Sequence, residues 1–222
     1  MKKLAIYGAS HFNVLKTVDA INRAEPTWEI VGFVDDTPDL KGKMLRGFPV
    51  LGGRDAVPGL ADHADMWFCN NVISHWKSTQ TVGNILDAHH CRVATLIHPL
   101  IYMNYVEIGR GCLIPEGCVV GSGTVIGDFV NLRLGVIVSH DVTIGDYAFI
   151  GPGTTIGSGV VLETCSYIGA GVTVMLDRRI GSYSIVGAGA VVTRDVRNNV
   201  TVVGVPAKET GEGSARAGEQ SD

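Results

Sequence analysis

VGSGTV IGDFVN LRLGVI VSHDVT IGDYAF IGPGTT, residues 120–155, opens every group of six on Val, Ile or Leu. The spacing holds without a miss from Ile108 to Val192, fifteen positions in all, and nine of the fifteen are followed by Gly. An amphipathic helix repeats every 3.6 residues and a half-buried strand every two, so neither gives a period of six. A hexapeptide period is the mark of a parallel β-helix. Each hexapeptide supplies a short strand and a turn, three close one triangular coil, and the coils bury their aliphatic residues by stacking. Fifteen hexapeptides therefore make five coils, a prism of roughly 24 Å at about 4.8 Å per strand. Two positions before each aliphatic the residues lean small or β-branched, as at Cys112, Cys118, Thr124, Val136, Ala148, Ser166 and Ala190, with Arg178 breaking the row. The Gly after the aliphatic is expected to supply the unusual dihedrals of a corner.

Upstream the pattern changes. Lys3 to Gly8 is an apolar run ending in Gly8-Ala9-Ser10-His11, and Val14, Leu15, Val18 and Ile21 then recur at helical spacing. Trp28 to Val34 reads as a second strand stopping at Asp35-Asp36, followed by a loop with Pro38, Pro49 and Gly52-Gly53. Met66 to Cys69 is a third strand, Ser74 an N-cap for a helix carrying Val82, Ile85 and Leu86, and Arg92 to Ile97 a fourth strand. Strands alternating with helices predict a small parallel sheet that takes ligands at its carboxyl edge, where Ser10, His11, Asp35, Asp36, Asn70 and Asn71 fall. The expected organisation is a Rossmann-like α/β unit over residues 1–98, a coil over 99–208 and a small, polar, disordered tail over 209–222, with His98-Pro99 as the hinge.

Composition excludes several classes. The net charge is -4 with no run of Lys or Arg, so the electrostatic footprint of a nucleic-acid binder is missing, and anionic membrane surfaces fit no better. No apolar run reaches the length of a membrane span, and none precedes a signal-cleavage site. Five cysteines without CxxC spacing argue against a disulfide framework or structural zinc, which fits a reducing cytoplasm. The first turn lacks G-x-G-x-x-G, so NAD binding is not expected.

From Pro99 onward there is one histidine, His140, two positions after Val138 and followed by Asp141. That register points it outward at a corner. Alone it reads more readily as an ordinary surface residue. However, LGVIVSHDVTIG (residues 134–145), together with IYGAS (6–10), GFVDD (32–36), PVLGG (49–53) and GVPAK (204–208), resembles the bacterial sialic acid O-acetyltransferase and nucleotide-sugar N-acetyltransferase family. The resemblance spans about Leu4 to Lys208. It implies a left-handed coil, acetyl-CoA as co-substrate without a metal, a homotrimer, and a nucleotide-sugar acceptor held by the N-terminal unit. By position it implies His140 as general base with Asp141 as its partner. It also implies Ser10 and His11 near the acceptor's phosphates, Asp35 and Asp36 near its base and ribose, and Cys69 and Asn70 at the end of the third strand. Phe149, Gly151, Ala170, Gly187 and Ala188 would border the donor groove between subunits. Phe149 stands where many relatives carry a second histidine, leaving carbonyl polarisation to backbone N–H groups. The family covers attack by an amine or by a sugar hydroxyl. The regular coil is also compatible with a non-catalytic scaffold, whereas the three-histidine zinc site of a γ-type carbonic anhydrase cannot be assembled from one histidine.

Overall fold

The computed structural model describes residues 1–73 and 76–212. They form two compact units, Met1–Pro99 and the chain from Leu100 onward. The first contains β1 (Lys2–Tyr7), α1 (Asn13–Ala24), β2 (Trp28–Val34), β3 (Met44–Leu45), β4 (Phe48–Gly52), α2 (Val57–Ala61), β5 (Met66–Asn70) and α3 (Trp76–Ala88). The sheet order is β3-β4-β2-β1-β5, parallel except for β3 at one edge. Leu4, Ala5 and Ile6 are all fully buried, the continuous apolar run of a parallel strand covered on both faces. Val14, Thr17 and Val18 bury one stripe of α1.

Two expectations change here. The supposed loop after Asp36 contains β3 and β4, because Val50 is buried and pairs in parallel with Phe33. Of the supposed strand 92–97, Val93 alone bridges this sheet, with Phe68 N–H donating to the Arg92 carbonyl and Ala94 N–H to the Phe68 carbonyl, and only Leu96–Ile97, outside this sheet, is a strand. The N-cap expected at Ser74 lies outside the described residues.

In the second unit every aliphatic of the six-residue series is the second residue of a two-residue strand. The strands stack on three faces, each pairing with the strand three hexapeptides on, as in Thr143↔Val125, Phe149↔Tyr167 and Thr155↔Thr173. The first face carries Ile108, Ile126, Ile144, Leu162 and Ile180; the second Ile114, Leu132, Ile150, Ile168 and Val186; the third Val120, Val138, Ile156, Val174 and Val192. All are buried except Ile108 in the first coil, which is half-buried. Each stabilises the stack by ~1.5–3 kcal/mol. The coil is a left-handed parallel β-helix.

The corners are built differently from the expectation. Positive φ occurs three residues before each aliphatic, where Tyr105, Phe129, Asp141, Tyr147, Cys165, Asp177 and Tyr183 adopt +53° to +61° and Gly fills the other eight positions. The Gly after the aliphatic is needed for room instead. A Cβ on Gly151 would stand 2.6 Å from the Ala170 nitrogen of the next coil, closer than non-bonded atoms approach.

Val200–Val203 continues the second face, and Lys208–Glu212 folds back on it as an antiparallel strand. The disordered tail expected from 209 therefore cannot begin there, since backbone hydrogen bonding orders the chain to 212. Residues 213–222 lie outside the described residues.

Candidate active site

The first unit holds a cleft of about 610 Å³ at the carboxyl ends of its strands, lined by Ser10, Asp35 and Asp36 and also by Tyr7, Thr37, Arg54, Lys77, Ser78 and Thr81. Asp35 is committed to shaping the first turn: its Oδ2 accepts from Ala9 N–H at 2.8 Å and its Oδ1 from Thr37 N–H at 2.9 Å. Asp36 is committed too. Its Oδ1 accepts from Arg54 N–H at 2.7 Å, and its Oδ2 accepts from the Arg54 guanidinium and the Tyr7 hydroxyl, each at 2.9 Å. Burial opposes ionisation of Asp36, but the Arg54 hydrogen bonds and charge outweigh it and hold the carboxyl below its usual range. Burial and that same carboxylate push the Tyr7 hydroxyl up.

Three of the expected acceptor residues are placed elsewhere. Cys69 is fully buried opposite Ile6, and burial pushes its thiol up to about 12. β5 is covered on both faces at this end, where Phe68, Cys69 and Asn70 are all buried. Asn70 is also buried, with Nδ2 donating to the Thr79 carbonyl at 2.8 Å and Oδ1 accepting from Val72 N–H at 3.1 Å. It fixes the exit from β5 and is not among the residues that line the cleft. His11 is exposed and does not line the cleft. Its carbonyl and that of Gly8 are instead held by Asn71 Nδ2 at 2.8 and 2.9 Å.

On the coil, His140 and Asp141 come together. The third face ends at Val138, so Ser139, His140 and Asp141 form the edge leading to the first face. Asp141 takes positive φ there, at +57°. Its Oδ2 lies 2.8 Å from His140 Nδ1. The other ring nitrogen, Nε2, lies 2.9 Å from the hydroxyl of Ser158, itself 2.8 Å from the hydroxyl of Ser139. A carboxylate only accepts, so Nδ1 carries a proton, and in the neutral imidazole Nε2 then holds the lone pair. With 60% of its side chain exposed, the ring is oriented and reached by solvent, while Ser158 occupies Nε2. Ser158 went unnoticed in the sequence, where the signal was its place three hexapeptides, one full coil, after His140.

Phe149 lies on the second face, its ring stacked on Tyr167 at 4.7 Å. Ala170 and Ala188 are exposed on the edge that follows that face, stacked one coil apart, with Gly151 and Gly187 on the same edge. His140 is on a different edge. One chain therefore does not bring the base and the expected donor-side residues together.

The model of the bacterial transferase hexapeptide family (six repeats) matches residues 123–158 and 141–175, which contain His140 and Ser158. Among solved structures, a histidine-to-alanine variant of GDP-perosamine N-acetyltransferase from Caulobacter crescentus, in complex with CoA and GDP-perosamine, aligns with a TM-score of 0.85 at 26% identity, covering 96% of this chain and 98% of that one. The chain carries hexapeptide repeats and is similar over nearly its whole length to nucleotide-sugar acetyltransferases. WeeI from Acinetobacter baumannii AYE, at 28% identity and a TM-score of 0.82, covers 95% of this chain and is itself covered in full. The acetyltransferase domain of PglB from Neisseria gonorrhoeae FA1090, at 25% identity and a TM-score of 0.83, does likewise. Comparison with curated proteins by sequence gives no match. Among the described residues no helix is long and apolar enough to cross a membrane, and no three His, Cys, Asp or Glu side chains gather as a metal site would require.

Proposed function

We propose that this acetyltransferase moves the acetyl group of acetyl-CoA onto the amine of a nucleotide-linked amino sugar, by direct attack in a ternary complex. The observation that carries the reading is the His140 ring, held at Nδ1 by Asp141 with its Nε2 lone pair at an exposed edge of the coil. Complexes of a relative with CoA and GDP-perosamine support the choice of co-substrate and of an amino-sugar nucleotide. As nitrogen attacks the thioester carbonyl, its proton passes to His140, and Asp141 offsets the charge that forms. Backbone N–H groups along the corner hold the oxyanion, because Phe149 has no donor to offer. Asp35 and Asp36 act in acceptor binding by building the cleft wall, with Ser10 and Arg54 presented to the ligand. The donor side is supplied by a second copy of the chain: Phe149, Gly151, Ala170, Gly187 and Ala188 occupy another edge, so a homotrimer completes each site.

The test is CoA release from acetyl-CoA with a panel of nucleotide-linked amino sugars and their hydroxyl counterparts. Turnover confined to the amines is expected. Turnover confined to the hydroxyls would make the enzyme an O-acetyltransferase, and none with any sugar would leave a scaffold.

A further inference from the structure

The hydrogen bonding around His140 leaves the base with no unoccupied lone pair. Nδ1 is spent on Asp141, so a proton can arrive only at Nε2, and Ser158 Oγ is already 2.9 Å from that atom. Since Nε2 accepts, Ser158 must donate its single hydroxyl hydrogen to it, and the 2.8 Å contact between the two serines is then a hydrogen bond from Ser139 to Ser158. This second bond holds Ser158 in place. Its backbone is fixed as well: its carbonyl accepts from Asp177 N–H at 2.8 Å, and the next residue, Gly159, donates to the His140 carbonyl at 3.2 Å. A hydroxyl so anchored is poised to transmit a proton rather than to swing aside for the substrate.

We infer that Ser158 is a catalytic residue that relays the acceptor's proton to His140. The inference rests on the reading of His140 as the base. In the step, the amine nitrogen forms a bond to the thioester carbon and the carbonyl π pair moves to oxygen. The N–H proton passes to Ser158 Oγ while the Ser158 hydroxyl proton passes to His140 Nε2, leaving the serine neutral and the imidazolium paired with Asp141. Collapse of the tetrahedral adduct breaks the C–S bond, and the departing thiolate takes the proton back from the imidazolium along the same path. The products are amide and CoA thiol, with no oxidant or further reactant.

Single-turnover rates with acetyl-CoA and an accepted amino-sugar nucleotide, measured across mixtures of light and heavy water, test the relay. Two protons in motion at once should give the wild type a bowed dependence on deuterium content. Ser158→Ala should slow the step by about 10- to 100-fold, leave the acetyl-CoA Kd unchanged and straighten the plot, while Ser158→Thr, which keeps a hydroxyl, should restore both rate and curvature. A straight plot for the wild type overturns the relay without recourse to any variant. So does a Ser158→Ala rate within twofold of wild type when His140→Ala is inactive. If His140→Ala retains its rate, it is the assignment of the base that fails.

Discussion

At His140 the sequence neighbour and the coil neighbour have separate tasks: Asp141 fixes the tautomer and Ser158 meets the lone pair. His140→Ala should lower kcat by about 10²- to 10⁴-fold with acetyl-CoA binding nearly intact, as steady-state kinetics and donor titration would show. Asp141→Asn should cost less, since an amide can still orient the ring but no longer balances its charge. In the cleft, Asp36→Ala should raise the acceptor KM and spare that for acetyl-CoA. Arg54→Ala should do the same, because the two side chains form one unit. The Asp36 carboxyl is held below its ordinary value, so its contribution to the cleft is fully present above the ordinary carboxylate range and is lost as the pH falls through the lowered value. Acceptor affinity followed by titration toward acid should fall in that window in the wild type and be flatter in Arg54→Ala. His140 stands out in the sequence because it is the one histidine after Pro99, with an acid beside it. Cys69 and Asn70 lie buried outside the cleft because β5 is covered on both faces at its carboxyl end, which position at a strand end does not reveal, and Arg54 was missed because β3 and β4 separate it from its partner along the chain.

The coil's period could be read because one burial rule is applied fifteen times, and each repeat of it corroborates the others. The elements of the first unit had no such redundancy. β3 and β4 are short and interrupted by Gly47 and Pro49, and their strand character comes from pairing with β2 rather than from local preference. The two glycine positions of the hexapeptide separate on the same ground. Gly151→Ala forces a Cβ against the backbone of the next coil and should lower the melting temperature substantially. Gly153→Ala meets nothing within 4 Å but sits at φ +67°, and should cost only ~1–2 kcal/mol. Thermal unfolding of both variants checks the ranking, and equal losses would contradict it.

For the molecule as a whole, His140 and the Phe149–Ala170–Ala188 side lie on different edges, so the proposed homotrimer predicts that activity belongs to the assembly. Light scattering under assay conditions should give three times the chain mass, and dilution that yields monomers should abolish turnover. The expectation came from a resemblance; the chain's own geometry supplies the reason, since no single prism can face two of its edges toward each other. The coil-to-coil register has a consequence for how such a protein can change length. Residues become neighbours here by a fixed difference in number, so the coil works as a ruler with one mark per turn. Duplicating three consecutive hexapeptides beyond Leu176 would add a floor to the prism and leave the His140–Ser158 pair intact. The same duplication placed between those two residues would keep the fold and put a full storey between the base and its serine, whereas an insertion of any length not divisible by six would throw every later aliphatic off its face.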